Sequence, residues 1–439
     1  MDRVSPSVPR RTGAYAYYAL GLLTSLNLLD YLDRYIIAAV QSLVRRDFEI
    51  SDARFGLFGT LFFLVYLATA PIFGYLGDRF PRRGILALGA LLWSAATVSS
   101  ALAPSYFWLL LARGMVGIGD ASFGTISPAF LSDLFPVEKR GRVMAIFYLT
   151  IPAGAALAYL IAAWIGEERG WRHAFTLVGL PGLLLALPIF FLREPVRGSM
   201  DASEPEDLPP ERPTLGTFSY WSRMVHVVSS YLELVRIRSY LFTNLGYAAL
   251  TFAIGGMAFW MPRYLETVKG ISFEEANRLT GSVVAMAGFF GTLVGGFAGD
   301  LLMRRTRRAY LILSGAGVLT AIPFALATIL SGNRKVFSAS LAASIFFLFL
   351  NTGLLNAVLV SVSPARLRST AVAANIVIIH LLGDAPSPLL IGWLSDLYSL
   401  QAGILLAVAA MLVSGILLLM GSRTLSADIE RINGPSLPA

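Results

Sequence analysis

The sequence predicts an all-α membrane protein of twelve transmembrane helices in two pseudo-symmetric six-helix bundles. Three observations carry this. Hydrophobic residues make up 56% and charged residues 14% of the 439, and the mean hydropathy is +0.67. That leaves too little polar surface to cover a water-soluble domain of this size, so lipid must be the solvent. Twelve apolar runs each approach or exceed the roughly 20 residues that a bilayer core requires. Finally, Gly74-Tyr75-Leu76-Gly77-Asp78-Arg79-Phe80-Pro81-Arg82-Arg83 recurs, weakened, 222 positions later as Gly296-Phe297-Ala298-Gly299-Asp300-Leu301-Leu302-Met303-Arg304-Arg305. The chain reads as duplicated.

The first six runs fall at 15–40, 55–76, 84–102, 106–132, 143–165 and 174–192; the second six fall at 240–262, 279–302, 309–330, 338–361, 370–394 and 402–421. The expected division is an N-terminal bundle over 1–192, a cytoplasmic linker over 193–238 and a C-terminal bundle over 239–439. The linker holds Pro195, Pro205, Pro209, Pro210 and Pro213 among acidic residues, and 215–235 has the pattern of a surface-lying amphipathic helix. The first fourteen residues are polar and basic and no small-residue cleavage site follows the first run, which is therefore read as a retained helix.

Sidedness follows from the 35 Lys and Arg. With the amino terminus inside, the termini and even-numbered loops carry 23 and the opposite loops 10, with Arg34 and Arg113 inside helices. Both termini are expected to be cytoplasmic. The net charge of +8 and pI near 9.7 are spread over short loops, which suits anionic lipid headgroups and not nucleic acid. Cysteine is absent, and His173, His226 and His380 have no metal-ligand spacing, so neither metal nor cofactor is expected.

Helix 1 reads Asn27-Leu28-Leu29-Asp30-Tyr31-Leu32-Asp33-Arg34, and the spacing of four puts Asp30 and Arg34 on one face. A charge at mid-bilayer costs about 3 kcal/mol on insertion scales, so two carboxylates against one arginine invite a functional reading. A carboxylate short of a partner in a partly dry cavity is a proton-carrier candidate; the alternative is a satisfied ion pair that locks helices together. Helix 4 reads Arg113-Gly114-Met115-Val116-Gly117-Ile118-Gly119-Asp120, with Arg113 and Asp120 two turns apart on one face and expected to look into the cavity. Arg113 is the expected anchor for an anionic headgroup, because a guanidinium grips phosphate or carboxylate through paired hydrogen bonds. Asp30, Asp33 and Asp120 are the proton-coupling candidates.

Further along, Pro152 in helix 5 can kink or gate, with ordinary helix packing the simpler use. Phe259-Trp260 at the end of helix 7 suit an aromatic belt. Asn351 and Asn356 in helix 10 and Asn375 in helix 11 can hydrogen-bond ligand or neighbouring helices. His380, with Asp384 one turn on, is of a type that can titrate near neutral pH, the alternative being a satisfied helix-packing His, and it joins Arg113, Asp30, Arg34 and Asp120 as a substrate-binding candidate. The loops around Gly74, Asp78, Arg79 and Arg82, and around Gly296, Asp300 and Arg304, are the expected cytoplasmic gate. Pro136-Val137-Glu138-Lys139-Arg140 after helix 4 lines up with Pro364-Ala365-Arg366-Leu367-Arg368 after helix 10, extending the duplication.

The pattern Gly-x-Leu-Gly-Asp-Arg-x-x-Arg-Arg resembles the loop between helices 2 and 3 of the major facilitator superfamily. Within it the chain resembles the Spinster lipid transporters, through Leu32-Asp33-Arg34-Tyr35, Ala70 to Phe80, Arg113 to Ser122 and His380-Leu381-Leu382-Gly383-Asp384-Ala385. The resemblance implies transport of amphipathic lipids with a charged headgroup, such as sphingosine-1-phosphate or lysophospholipids, with proton coupling proposed for at least some members. It places Asp33, Arg34, Arg113, Asp120 and His380 along the cavity. Two positions depart: the family usually has Glu where Asp120 stands and often Asn where Asp30 stands. Short termini suggest a bacterial chain in the inner membrane. The expected function is alternating-access export or flipping of a single-chain lipid by a monomer, with lipid and protons as partners. The rivals are a proton/drug antiporter or organic-anion transporter, a lipid-sensing receptor, and a lipid-cleaving enzyme, which no Ser-His-Asp or metal-ligand constellation supports.

Overall fold

The computed structural model describes residues 13–197, 200, 233–364 and 367–433. The helices are α1 (Ala14–Ala39), α2 (Gln41–Phe48), α3 (Asp52–Arg79), α4 (Arg82–Ala101), α5 (Tyr106–Ser132), α6 (Val137–Tyr148), α7 (Thr150–Ala186), α8 (Arg238–Thr267), α9 (Phe273–Met303), α10 (Ala309–Leu330), α11 (Arg334–Phe349), α12 (Leu354–Ser361), α13 (Arg368–Ile379), α14 (Pro386–Leu397) and α15 (Leu400–Asn433). The amphipathic helix expected over 215–235 lies, but for its last three residues, outside the described residues.

Among the described residues ten stretches are long and apolar enough to cross a membrane, against an expectation of twelve, and the difference has two physical causes. The stretch Lys139–Phe191 is counted once, but α7 turns over at Gly166 (φ 65) and Gly170 (φ 73), left-handed conformations that glycine adopts without steric cost, so it supplies two passes. Helix α1, which carries Asp30, Asp33 and Arg34, is not among the ten, although it is a continuous 26-residue helix packed against α7. The arrangement is thus consistent with twelve.

Three passes expected as single helices are interrupted. At the α6–α7 junction Pro152 has no N–H to return to Tyr148, and the Ala153 N–H reaches Leu149 O at 3.4 Å. Between α11 and α12 the chain breaks at Gly353 (φ 87). Between α13 and α14, His380–Asp384 forms a π turn in which the Ala385 N–H bonds to His380 O (2.9 Å), immediately before Pro386.

The duplication is visible in the caps. Ser51 and Ser272 accept hydrogen bonds from the third residues of α3 and α9, and Ser105 and Asn333 cap α5 and α11. These four helices are the second and fourth passes of each half. The halves meet along two helix pairs, α3 with α14 and α7 with α9, which exchange under the repeat. Backbone approaches backbone there: a Cβ on Gly56 would stand 2.4 Å from Pro388 O, and one on Gly392 2.4 Å from Asp52 O. In the loop after α8, Lys269 donates to Ile329 O (2.6 Å) and Ser331 O (2.7 Å), and burial holds its ammonium below the usual lysine range.

Candidate functional site

A cavity of about 750 Å³ lies between the halves, lined from Phe58, Gly59 and Phe259 at one end to Ala145, Thr292 and Thr352 at the other. Most of its wall is apolar; its charged lining is Arg34, Arg113, His380 and Asp384.

Helix α1 delivers two acids to two different arginines. One Arg34 guanidinium nitrogen lies 2.5 Å from Asp120 Oδ2 and 3.8 Å from Asp30 Oδ2, so a single cation serves two carboxylates that are 2% and 3% exposed. The same guanidinium sits 4.6 Å from the centre of the Tyr31 ring and 5.2 Å from that of Phe62. Arg113 pairs one to one with Asp33: Nη1 donates to both carboxylate oxygens (3.0 and 3.2 Å), and Nη2 donates to Asp33 O (3.1 Å). Both of these side chains are 1% exposed, whereas Arg34 retains 16%. Arg34 and Arg113 border the cavity, and Asp30, Asp33 and Asp120 lie immediately behind them. Spacing along helix 1 joins Asp30 to Arg34; the tighter partner, Asp120, comes from α5.

On the opposite wall, His380 Nδ1 lies 2.7 Å from Asp384 Oδ2 within the π turn. The His380 ring stacks on Phe63 of α3 at 5.4 Å, a contact between the halves that no sequence spacing announces.

Beyond the Phe58 end lies a polar cluster that sequence reasoning missed. Asp52 Oδ1 pairs with Arg45 (3.0 Å) and Arg263 (3.2 Å), while Oδ2 accepts from the Ser395 hydroxyl (2.5 Å). Asp396 caps α3 from the other half, accepting from the Asp52 and Ala53 N–H groups at 2.8 Å each. Phe55 packs on Phe259 and Trp260 just below. This end is sealed. The readable signal was the Ser51-Asp52 helix start.

At the end bearing the termini, the two repeated loops bond within their own halves. Arg82 pairs with Asp133 (2.5 Å) and reaches Gly77 O (3.4 Å); Arg197 donates to the carbonyls of Gly77, Asp78 and Phe80; Glu194 accepts from the Arg82 and Arg83 N–H groups. Arg79 lies over the Tyr75 ring, and a Cβ on Gly74 would stand 3.8 Å from the Thr125 methyl. In the second loop Tyr310 donates to Asp300 (2.8 Å), Arg304 is exposed, and Gly296 faces open space.

Two halves with closely packed crossing helices, and arginine-carboxylate pairs around a cavity between them, have the arrangement of a multi-pass membrane transporter. The sequence matches the Major Facilitator Superfamily over residues 23–384. It is 34% identical to the sphingosine-1-phosphate transporter SPNS2 of Xenopus tropicalis over 86% of this chain and 74% of that one. It is equally 34% identical to protein spinster homolog 1 of Homo sapiens, over 86% and 72%. A crystal structure of a bacterial homologue of the human lysosomal transporter Spinster, inward-facing and unoccupied, shares the fold with a TM-score of 0.85 at 23% identity, covering 98% of this chain and all of that one. The chain therefore belongs to the Spinster family of the major facilitator superfamily.

Proposed function

We propose that the chain moves a single-chain amphipathic lipid, a lysophospholipid or a sphingosine-1-phosphate-like molecule, by alternating access coupled to protons. The observation that carries this is the surplus carboxylate beside Arg34, immediately behind the wall of a largely apolar cavity. Two buried carboxylates against one guanidinium leave one negative charge without a full partner, and a proton is the smallest cation that removes it. Asp30 and Asp120 share this role. Asp33, matched by Arg113, becomes a carrier only in a state that separates the two. Arg34, the more exposed cation, meets an anionic headgroup first; Arg113 anchors it once Asp33 lets go, and His380 closes the opposite wall. The tail lies along the apolar lining, where each methylene leaves lipid for protein at little net gain, so the head sets selectivity. The substrate named for the frog relative supports this class.

The proposed orientation has both termini in the cytoplasm of a bacterial cell, in the inner membrane, with 1–192 and 239–439 as the rocking units and 193–238 joining them. The Asp52 end then faces outward and is closed. The loops around Gly74 to Arg82 and Gly296 to Arg304 latch the cytoplasmic side in the opposite state. A second reading, a proton/drug antiporter, is favoured by the excess of acids over arginines around the cavity.

The test is uptake of a lysolipid panel into proteoliposomes, with and without an imposed pH gradient, for the parent, Arg34→Ala and Arg113→Ala. Gradient-dependent lysolipid uptake that falls at least about ten-fold in both variants is expected, the loss of one charge-assisted contact. Uptake indifferent to the gradient sinks the coupling. Transport of organic cations without lysolipids sinks the lipid class.

A further inference from the structure

We propose that the interruption between α11 and α12 is a second polar subsite of the cavity, which accepts a hydrogen bond from a hydroxyl or ammonium group of the headgroup; the proposal rests on the lipid-transport reading above. Asn351, Thr352 and Gly353 all line the cavity. Asn351 is 4% exposed, and its Nδ2 donates to Leu348 O (3.0 Å), which leaves Oδ1 buried without a partner. Buried amide oxygens are seldom left unpaired, because removal from water is repaid only by a donor.

Three other asparagines, Asn244, Asn277 and Asn375, have the same unpartnered oxygen, but none of them lines the cavity. Location separates Asn351 from them. Beside it the Thr292 hydroxyl of α9 lies 3.3 Å from that of Thr352, adding two more hydrogen-bonding groups at the same point of the wall. The backbone is built for it as well: α11 ends at Phe349, Gly353 at φ 87 starts α12, and irregular backbone at membrane depth persists where it borders a cavity.

The chemistry of the ligand group follows from the atom left over. A carbonyl oxygen accepts and cannot donate, so its partner must carry an O–H or N–H. Arg34 and Arg113, on the other half, take the anionic part of the headgroup. The two walls together select a lipid whose head combines an anion with a hydrogen-bond donor. They disfavour one that bears an anion alone, because that ligand would leave Oδ1 unpaired in a site it has dried.

The experiment measures binding to the purified full-length chain in nanodiscs with three probes: 1-acyl lysophosphatidic acid, its 2-deoxy analogue, and 2-deoxy lysophosphatidylethanolamine. The expected result is that at least one donor-bearing probe binds roughly ten-fold tighter than 2-deoxy lysophosphatidic acid. A preference for the first identifies a hydroxyl as the donor, and a preference for the third identifies an ammonium. In Asn351→Leu, similar in size and unable to accept, that ratio is expected to fall to about one. Equal binding of all three probes by the parent overturns the proposal without any variant, since the oxygen is then served by water only. A ratio that survives in Asn351→Leu also overturns it. If the parent binds none of the probes, the lipid reading itself fails and the subsite falls with it.

Discussion

Asp52 is where one substitution should move the whole molecule. Its carboxylate gathers Arg45 from the first half with Arg263 and Ser395 from the second, at 3.0, 3.2 and 2.5 Å. Removing one member of a buried ion pair costs about 3–5 kcal/mol. The two arginines retain 19% and 15% exposure and regain some hydration. A discounted figure of about 2 kcal/mol is therefore appropriate for Asp52→Ala. At 1.4 kcal/mol per factor of ten, this lowers the ratio of sealed to open forms at the Asp52 end roughly thirty-fold. The chain has no native cysteine. Spin labels at Phe107→Cys and Tyr398→Cys, both 77% exposed in the parent, therefore report the separation of the halves by double electron–electron resonance without background. The expected outcome is a new, longer distance in Asp52→Ala, and a smaller shift in Asp52→Asn, which can still bond to Ser395. An Asp52→Ala distribution that matches the parent refutes the assignment of Asp52 as the keystone of the seal.

Two further outcomes follow from the same packing. Gly56→Val places a methyl against Pro388 O, where even a Cβ stands at 2.4 Å, so the same spin-label pair should again report an opened Asp52 end, accompanied by slower uptake. Phe63→Ala removes the ring that stacks on His380 between the halves at 5.4 Å. An aromatic pair contributes about 0.5–1.5 kcal/mol, so lysolipid uptake should change two- to ten-fold while the purified chain still elutes as a folded species; unchanged uptake leaves that stacking without a role.

Hydropathy made the helices legible because a bilayer admits few other backbones, and the Gly74–Arg83 repeat made the duplication legible because small and basic residues at fixed offsets do not arise from apolar packing. The interruptions were partly visible: Asn351-Thr352-Gly353 is a polar, flexible triplet in an apolar run, and Pro386 follows the His380 turn directly. The pairing of charges was not. Spacing within helix 1 joins Asp30 to Arg34 but says nothing of α5, and Asp30 and Asp33, three residues apart, are close enough on the helix to look like one group. Packing divides them, Asp30 to the shared Arg34 and Asp33 to Arg113. Phe63 and Asp52 escaped for the same reason, since their partners come from the other half of the chain.

The bonds between the halves have a direction. Asp52 with Arg263, Ser395 and Asp396, Thr60 with Ala385 O (2.6 Å), and Tyr159 with Ala258 O (2.6 Å) all lie on the Asp52 side of the Arg34 cluster. At the other end the first repeated loop places Arg82 and Arg83 on a carboxylate and carbonyls of its own half. The conformation is thus held from one end, and Asp30 and Asp120, sharing Arg34 just behind the cavity wall, lie beyond that hold. A change there cannot act on the Asp52 seal by direct contact. A chain of contacts runs from Arg34 to the Phe62 and Phe63 rings of α3 and on to the stacked His380 ring. On the coupling proposed above, the stacking of Phe63 on His380, more than either loop, is the contact through which charge state would reach the separation of the halves.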